Sequence, residues 1–209
     1  MLQAVHWPHH HGSPVLEGWE FDDDVDPDEV VKVTSPVGEP AGVVRGTHRW
    51  IEWVLGRDAA VRAARKMGVE QPIIEVTSNG APFVPGSDVG LSIAHTRGLA
   101  LAAAAPGRIG IDVERSTRDV SRLARGLHPG EVDIAMSISV IGCLVAKEAA
   151  AKATGLGLGG SLARWPVLDA ELSGSAPTVS IAAPDGRVVT TQLFSWGDHT
   201  VGVSHIPEE

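Results

Sequence analysis

The sequence predicts an α+β fold of two related lobes, because each half of its 209 residues offers one or two main helices beside several short strand-like runs. A hydrophobic content of 43% is enough to bury a core of that size, and turn signals at Asn79-Gly80, Pro106-Gly107 and Asp185-Gly186 punctuate the runs. The expected organisation is an irregular acidic lead-in over 1–44, an N-terminal lobe over 45–106 and a C-terminal lobe over 107–209.

The lead-in carries Pro8, Pro14, Pro27, Pro36 and Pro40 and a block of acids: Glu17, Glu20, Asp22, Asp23, Asp24, Asp26, Asp28 and Glu29. No Lys or Arg falls among them, so the segment reads as a solvated surface and accounts for most of the formal charge of −9. That balance argues against a general binder of nucleic acid or anionic membrane. His9, His10 and His11 are adjacent but lack other spaced ligands, so they read as surface residues. Cys143 is the single cysteine, which excludes an internal disulfide and a structural zinc cluster and suits a reducing cytoplasm. No secretory leader or membrane-spanning run is apparent, and a soluble cytoplasmic monomer with two internal lobes is expected.

From Thr47, a natural N-cap, apolar Trp50, Trp53, Val54, Val61 and Ala64 recur at helical steps up to Gly68, predicting a helix over about 48–67. Extended runs follow at 73–77, 90–95 and 99–104, the last two as a hairpin around Thr96-Arg97-Gly98. In 108–114, Ile109, Ile111 and Val113 alternate with Gly110, Asp112 and Glu114, so a strand there projects both carboxylates from one face. Ser116 and Asp119 are spaced as a capping box for a second helix to about 127, on which Arg115, Arg118, Arg122 and Arg125 would share a face. A third helix is expected over about 137–154, closed by Gly155 and carrying Glu148 and Lys152 one turn apart. Strands at 167–172, 178–182, 188–194 and 200–204 complete the chain. The Gly155-x-Gly157-x-Gly159-Gly160 run follows a helix rather than opening one, so it reads as cap and loop and not as a phosphate cradle.

Asp112 and Glu114 on one strand face, Glu148 on a helix and Lys152 one turn beyond it suit a magnesium site for a phosphate-bearing substrate, since magnesium takes a few carboxylates and leaves room for phosphate oxygens. Gly110-Ile111-Asp112-Val113-Glu114, followed by Lys147-Glu148-Ala149-Ala150-Ala151-Lys152-Ala153, resembles the paired signature of the 4′-phosphopantetheinyl transferases. Asn79-Gly80-Ala81-Pro82 and Leu91-Ser92-Ile93-Ala94-His95-Thr96 resemble the family's Gly-x-Pro and Ser-x-x-His segments, and Trp53-Val54-Leu55-Gly56-Arg57 its first helix. Length and segment order favour the surfactin-type, two-lobed branch, in particular the forms associated with polyketide synthases. Ala81 and Leu144 stand where the family commonly has a basic and an aromatic residue.

The resemblance implies two lobes related by pseudo-twofold symmetry and a magnesium-dependent holo-[acyl-carrier-protein] synthase. Such an enzyme moves the 4′-phosphopantetheine arm of coenzyme A to a serine of an apo acyl or peptidyl carrier protein and releases adenosine 3′,5′-bisphosphate. By the same resemblance Asp112, Glu114 and Glu148 ligate magnesium, Glu148 is also the general base, Lys152 meets the diphosphate and His95 donates to a phosphate oxygen. Arg49 and Arg57 are the candidates for the 3′-phosphate, with Arg45 and Arg62 as alternates; Lys147 is a further candidate for binding. The arginine series at 115, 118, 122 and 125 is the candidate dock for an acidic carrier protein. The alternatives are a catalytically weak homologue that binds coenzyme A or carrier protein, and a magnesium-dependent hydrolase of a nucleotide diphosphate.

Overall fold

Two compact units, 1–107 and 108–209, each fold a long helix onto an antiparallel sheet. The computed structural model of the chain describes residues 1–7, 13–38, 40, 42–121, 124–173 and 176–207; the His9–His11 cluster and Arg122 lie outside the described residues. The mixture of helix and sheet is the α+β class expected.

In the first unit the sheet runs β1-β2-β6-β5, made of β1 (Leu2–His6), β2 (Val15–Phe21), β5 (Val89–Thr96) and β6 (Leu99–Pro106). A small ribbon pairs β3 (Glu75–Val76) with β4 (Pro82–Phe83). Helix α1 (Pro27–Val33) packs on α2 (His48–Lys66), and α2 lies on the sheet. Thr47 caps α2 by accepting from the Trp50 amide, as the sequence predicts. Trp50, Ile51, Val54 and Leu55 of α2 are buried with Trp19, Phe21, Ala100 and Ala102. Gly56 lets the helix close on β5, since a Cβ there would stand 2.8 Å from Ile93 Cγ2.

The expectation of an irregular lead-in is corrected. Strands β1 and β2 pair with each other, and β2 lies beside β6, so residues before 45 form half of the first unit's main sheet. Asp22, Asp23, Asp24, Asp26, Asp28 and Glu29 are exposed, as a wet surface requires, while three acids of the segment meet cations of the same unit. Glu17 is wholly buried against Lys66 and Arg62, Asp23 pairs with Arg97, and Asp28 pairs with Arg45 at 2.8 Å.

The second unit has the strand order β7-β11-β10-β9-β8, with β7 (Arg108–Arg115), β8 (Val167–Glu171), β9 (Thr178–Ala182), β10 (Val188–Trp196) and β11 (His199–Ile206). The helix predicted over 137–154 is α4 (Val140–Thr154), and a shorter helix that the sequence reading does not include, α3 (Val132–Ile138), precedes it. Ser139 between them has φ 70° and caps α4 through its hydroxyl, which accepts from the Gly142 amide. Gly155, at φ 75°, closes α4 in the left-handed conformation expected of it.

The predicted helix over 116–127 is also corrected. Among the described residues this stretch holds only a 3-10 turn at Ala124–Gly126. Asp119 accepts from the Ser121 amide in a local turn and the Ser116 amide donates to Asp198 O, so neither residue opens a helix. The arginine series therefore has no helix face to share: Arg115 ends β7 and Arg118 lies in the bend that follows. No single helix among the described residues is long and apolar enough to cross a membrane.

Candidate functional site

Two clusters carry the residues picked out from the sequence, one in each unit. In the second unit, period-two alternation puts Gly110, Asp112 and Glu114 on one side of β7, while Ile109, Ile111 and Val113 are buried on the other. Gly110 and Gly202 bring the helix down onto that side. A Cβ at Gly110 would sit 1.9 Å from Ala149 O, and one at Gly202, the cross-strand neighbour of Asp112, would sit 2.8 Å from Val145 Cγ1. Helix α4 thus runs against bare backbone, and its Glu148 and Lys152 come alongside the carboxylates of β7.

Lys152 Nζ donates to Asp112 Oδ1 at 2.8 Å and to Ile111 O at 2.9 Å. Glu114 pairs with Arg118 and accepts from the Arg115 amide at 2.9 Å. Burial raises the Asp112 carboxyl above the ordinary carboxylate range; Lys152 opposes the shift and Glu114 adds to it. Burial likewise raises Glu148, with Asp112 and Glu114 adding to the shift while Lys152 and Arg118 oppose it. Three acids and a lysine, distant in sequence, therefore act on one another electrostatically.

Metal fit can be judged from this arrangement. All three acids offer the hard oxygen donors that magnesium prefers, and a divalent cation would favour the charged forms of Asp112 and Glu148 that burial disfavours. Among the described residues, however, no group of three His, Cys, Asp or Glu is disposed to hold a metal ion. Asp112 and Glu114 are turned to Lys152 and Arg118 instead, so the donors suit magnesium in kind while their oxygens are engaged by cations of the chain.

Lys147 does not join this cluster. It is wholly buried, donating to Glu131 Oε2 at 2.7 Å and Leu162 O at 3.2 Å, and Glu131 also accepts from the Val167 amide. Its ammonium ties α4 to β8 and to the turn before α3, which corrects its assignment as a ligand-binding residue.

In the first unit a pocket of about 190 Å³ is lined by Glu52, Trp53, Arg57, Gly80, Pro82 and His95, among others. Arg57 stacks over the Trp53 ring at 4.1 Å, and partial burial lowers its pKa. Such a guanidinium, half out of water and set over an indole, is suited to an anionic group. His95 stands at the pocket with its Nδ1 3.4 Å from Glu52 Oε2. Arg49 is exposed on α2 and does not line this pocket. Of the alternates, Arg62 is spent on Gly18 O, Asp58 and Glu17, and Arg45 on Asp28 and the Trp50 ring. Glu52, which no sequence pattern singled out, lines the pocket beside both predicted phosphate-binding residues.

Residues 45–105 match the family model described as the 4′-phosphopantetheinyl transferase N-terminal domain. The match takes in α2, β5 and β6 and hence Glu52, Arg57 and His95, so the likeness to the 4′-phosphopantetheinyl transferases rests on the first unit. No curated protein matches the chain.

Proposed function

We propose that the chain is a surfactin-type 4′-phosphopantetheinyl transferase that uses magnesium to modify a serine of an apo carrier protein with the arm of coenzyme A. The observation that carries this reading is the meeting of Asp112, Glu114, Glu148 and Lys152 at the β7–α4 contact, in a chain whose earlier residues match the family's N-terminal domain. The repeated plan of the units agrees with a duplicated lobe. Each sets its long helix on a sheet whose last hairpin turns on a two-residue loop, Arg97-Gly98 in one and Gly197-Asp198 in the other.

Asp112, Glu114 and Glu148 are the residues that would hold magnesium, which when bound would supply charge neutralisation at the diphosphate. For these carboxylates to serve, Lys152 must leave Asp112 and Arg118 must leave Glu114. Lys152 then finds its anion in the diphosphate, and its ammonium stabilises the charge left on the departing group. Glu148, acting as its carboxylate, takes the proton of the carrier serine. The serine oxygen forms a bond to the β-phosphorus as the bond to the bridging oxygen breaks, and adenosine 3′,5′-bisphosphate leaves with that oxygen. Arg57 and His95 hold phosphate groups of coenzyme A, and the cytoplasm, where coenzyme A and apo carrier proteins meet, is the compartment of action.

Incubation with apo carrier protein, coenzyme A and magnesium, read by intact-protein mass, tests this. A gain of one phosphopantetheine on the carrier is the expected result. Coenzyme A binding without transfer would make the chain a binding homologue, and free phosphopantetheine with an unmodified carrier would make it a hydrolase; either overturns the proposal.

A further inference from the structure

Glu52 poses a problem for any pocket that receives a phosphate. Its side chain is only 15% exposed, and it brings a negative charge to the wall that also holds Arg57 and His95. A carboxylate there repels an anion unless its charge is taken up by cations of the protein. Two imidazoles face the two oxygens of that carboxylate. Glu52 Oε1 lies 3.1 Å from His48 Nδ1, one turn back on α2, and Glu52 Oε2 lies 3.4 Å from His95 Nδ1 on β5. His48 is engaged on its other side as well, with Nε2 3.4 Å from Asp23 Oδ1, and Asp23 is itself held by Arg97 of the β5–β6 loop. The groups form an alternating series, Arg97, Asp23, His48, Glu52, His95, which begins in the segment after β2 and ends at the pocket. Arg57, on the same helix, is the remaining charged group of the pocket wall, and β3 and β4 present Val76 and Pro82, which carry none.

We infer that Glu52 is the positioning residue of this site: it shares its two oxygens between His48 and His95, and thereby holds the His95 ring by Nδ1 and favours its cationic form for a phosphate. A histidine whose Nδ1 faces a carboxylate has its ring plane set and meets an incoming oxyanion with Nε2, and the adjacent negative charge stabilises the imidazolium. His48 and Asp23 keep Glu52 in place, which gives the acidic N-terminal segment a part in the site. The inference rests on the transferase reading for the identity of the anion, and on the geometry alone for the coupling of Glu52 to His95.

The test separates the two. The imidazole of His95 is assigned in the proton NMR spectrum by difference against His95→Ala and titrated in the unsubstituted chain, in Glu52→Gln and in Glu52→Asp. Glu52→Gln is expected to lower the midpoint by about one unit, a tenfold fall in the ratio of imidazolium to neutral imidazole at any given pH, and Glu52→Asp to restore much of it. Binding of adenosine 3′,5′-bisphosphate, followed by calorimetry, is expected to weaken about tenfold in Glu52→Gln at pH 8 and far less at pH 6, where the ring protonates without help. A merely structural role for Glu52 would weaken binding equally at both pH values. An unchanged His95 midpoint in both variants overturns the inference and leaves the transferase reading standing. A lowered midpoint in a chain whose bisphosphate binding is untouched by His95→Ala overturns the phosphate role of His95 and leaves the coupling intact.

Discussion

Asp112 and Glu148 are both held above the ordinary carboxylate range by burial, and each is tempered by Lys152. Removing either acid takes a donor from the proposed metal site, so Asp112→Asn and Glu148→Gln should each cut transfer by about a hundredfold or more with the fold intact. Transfer assays alongside circular dichroism check this. Lys147 differs in kind, because its charge is buried against Glu131 and meets no solvent. Lys147→Met should cost roughly 3–5 kcal/mol by stranding the Glu131 carboxylate, and the double variant with Glu131→Leu should recover much of it; denaturant unfolding measures both. Cys143 is buried, and desolvation pushes its thiol up to about 11. Thiol reagents at pH 8 should leave it untouched in the folded chain and label it fully in denaturant. The sign follows: the folded state favours the neutral thiol, so that part of the stability is intact below the unfolded thiol's range of about 8.5 and is lost as pH rises toward about 11. At this scale the sequence indicates which residue types belong to the chemistry but not their partners. Glu148 and Lys152 are legible from their spacing, whereas the burial of Lys147 depends on Glu131, which no local pattern ties to it.

The β7–α4 contact turns one glycine into a condition for the site. A Cβ at Gly110 would press on Ala149 O and on Ala153 N at 1.9 and 2.6 Å, both backbone atoms that cannot swing aside. Gly110→Ala should therefore lift α4 from β7, lower stability by at least about 2 kcal/mol and cut transfer, though the residue touches no substrate; thermal unfolding and the transfer assay together check it. Strands 90–95, 99–104 and 108–114 and the helices ending at Lys66 and Thr154 are legible because periodicity, an N-cap at Thr47 and a C-cap at Gly155 agree locally. The stretch 116–127 has helical spacing too, yet Asp119 closes a turn on Ser121 and Asp198 takes the Ser116 amide. A contact with the β10–β11 loop there prevails over a local pattern.

Across the whole chain, the segment before residue 45 shows the largest difference between sequence pattern and structure. Prolines and acids hide strands whose pairing needs β6, some eighty residues on, and whose buried Glu17 is met by Lys66 and Arg62 of α2. A chain beginning at residue 45 would lose β1, β2 and α1 and uncover Trp50 and Leu55 of α2. It should lack cooperative unfolding of the first unit and bind no coenzyme A, as hydrogen exchange and calorimetry would record. The most direct measurement follows both products of one reaction, with coenzyme A, magnesium and an apo carrier protein present. Adenosine 3′,5′-bisphosphate and serine-modified carrier should accumulate in equal amounts, and both should vanish with Glu148→Gln. Release of the bisphosphate without carrier modification, or modification undiminished in that variant, would contradict a transferase centred on the β7–α4 carboxylates.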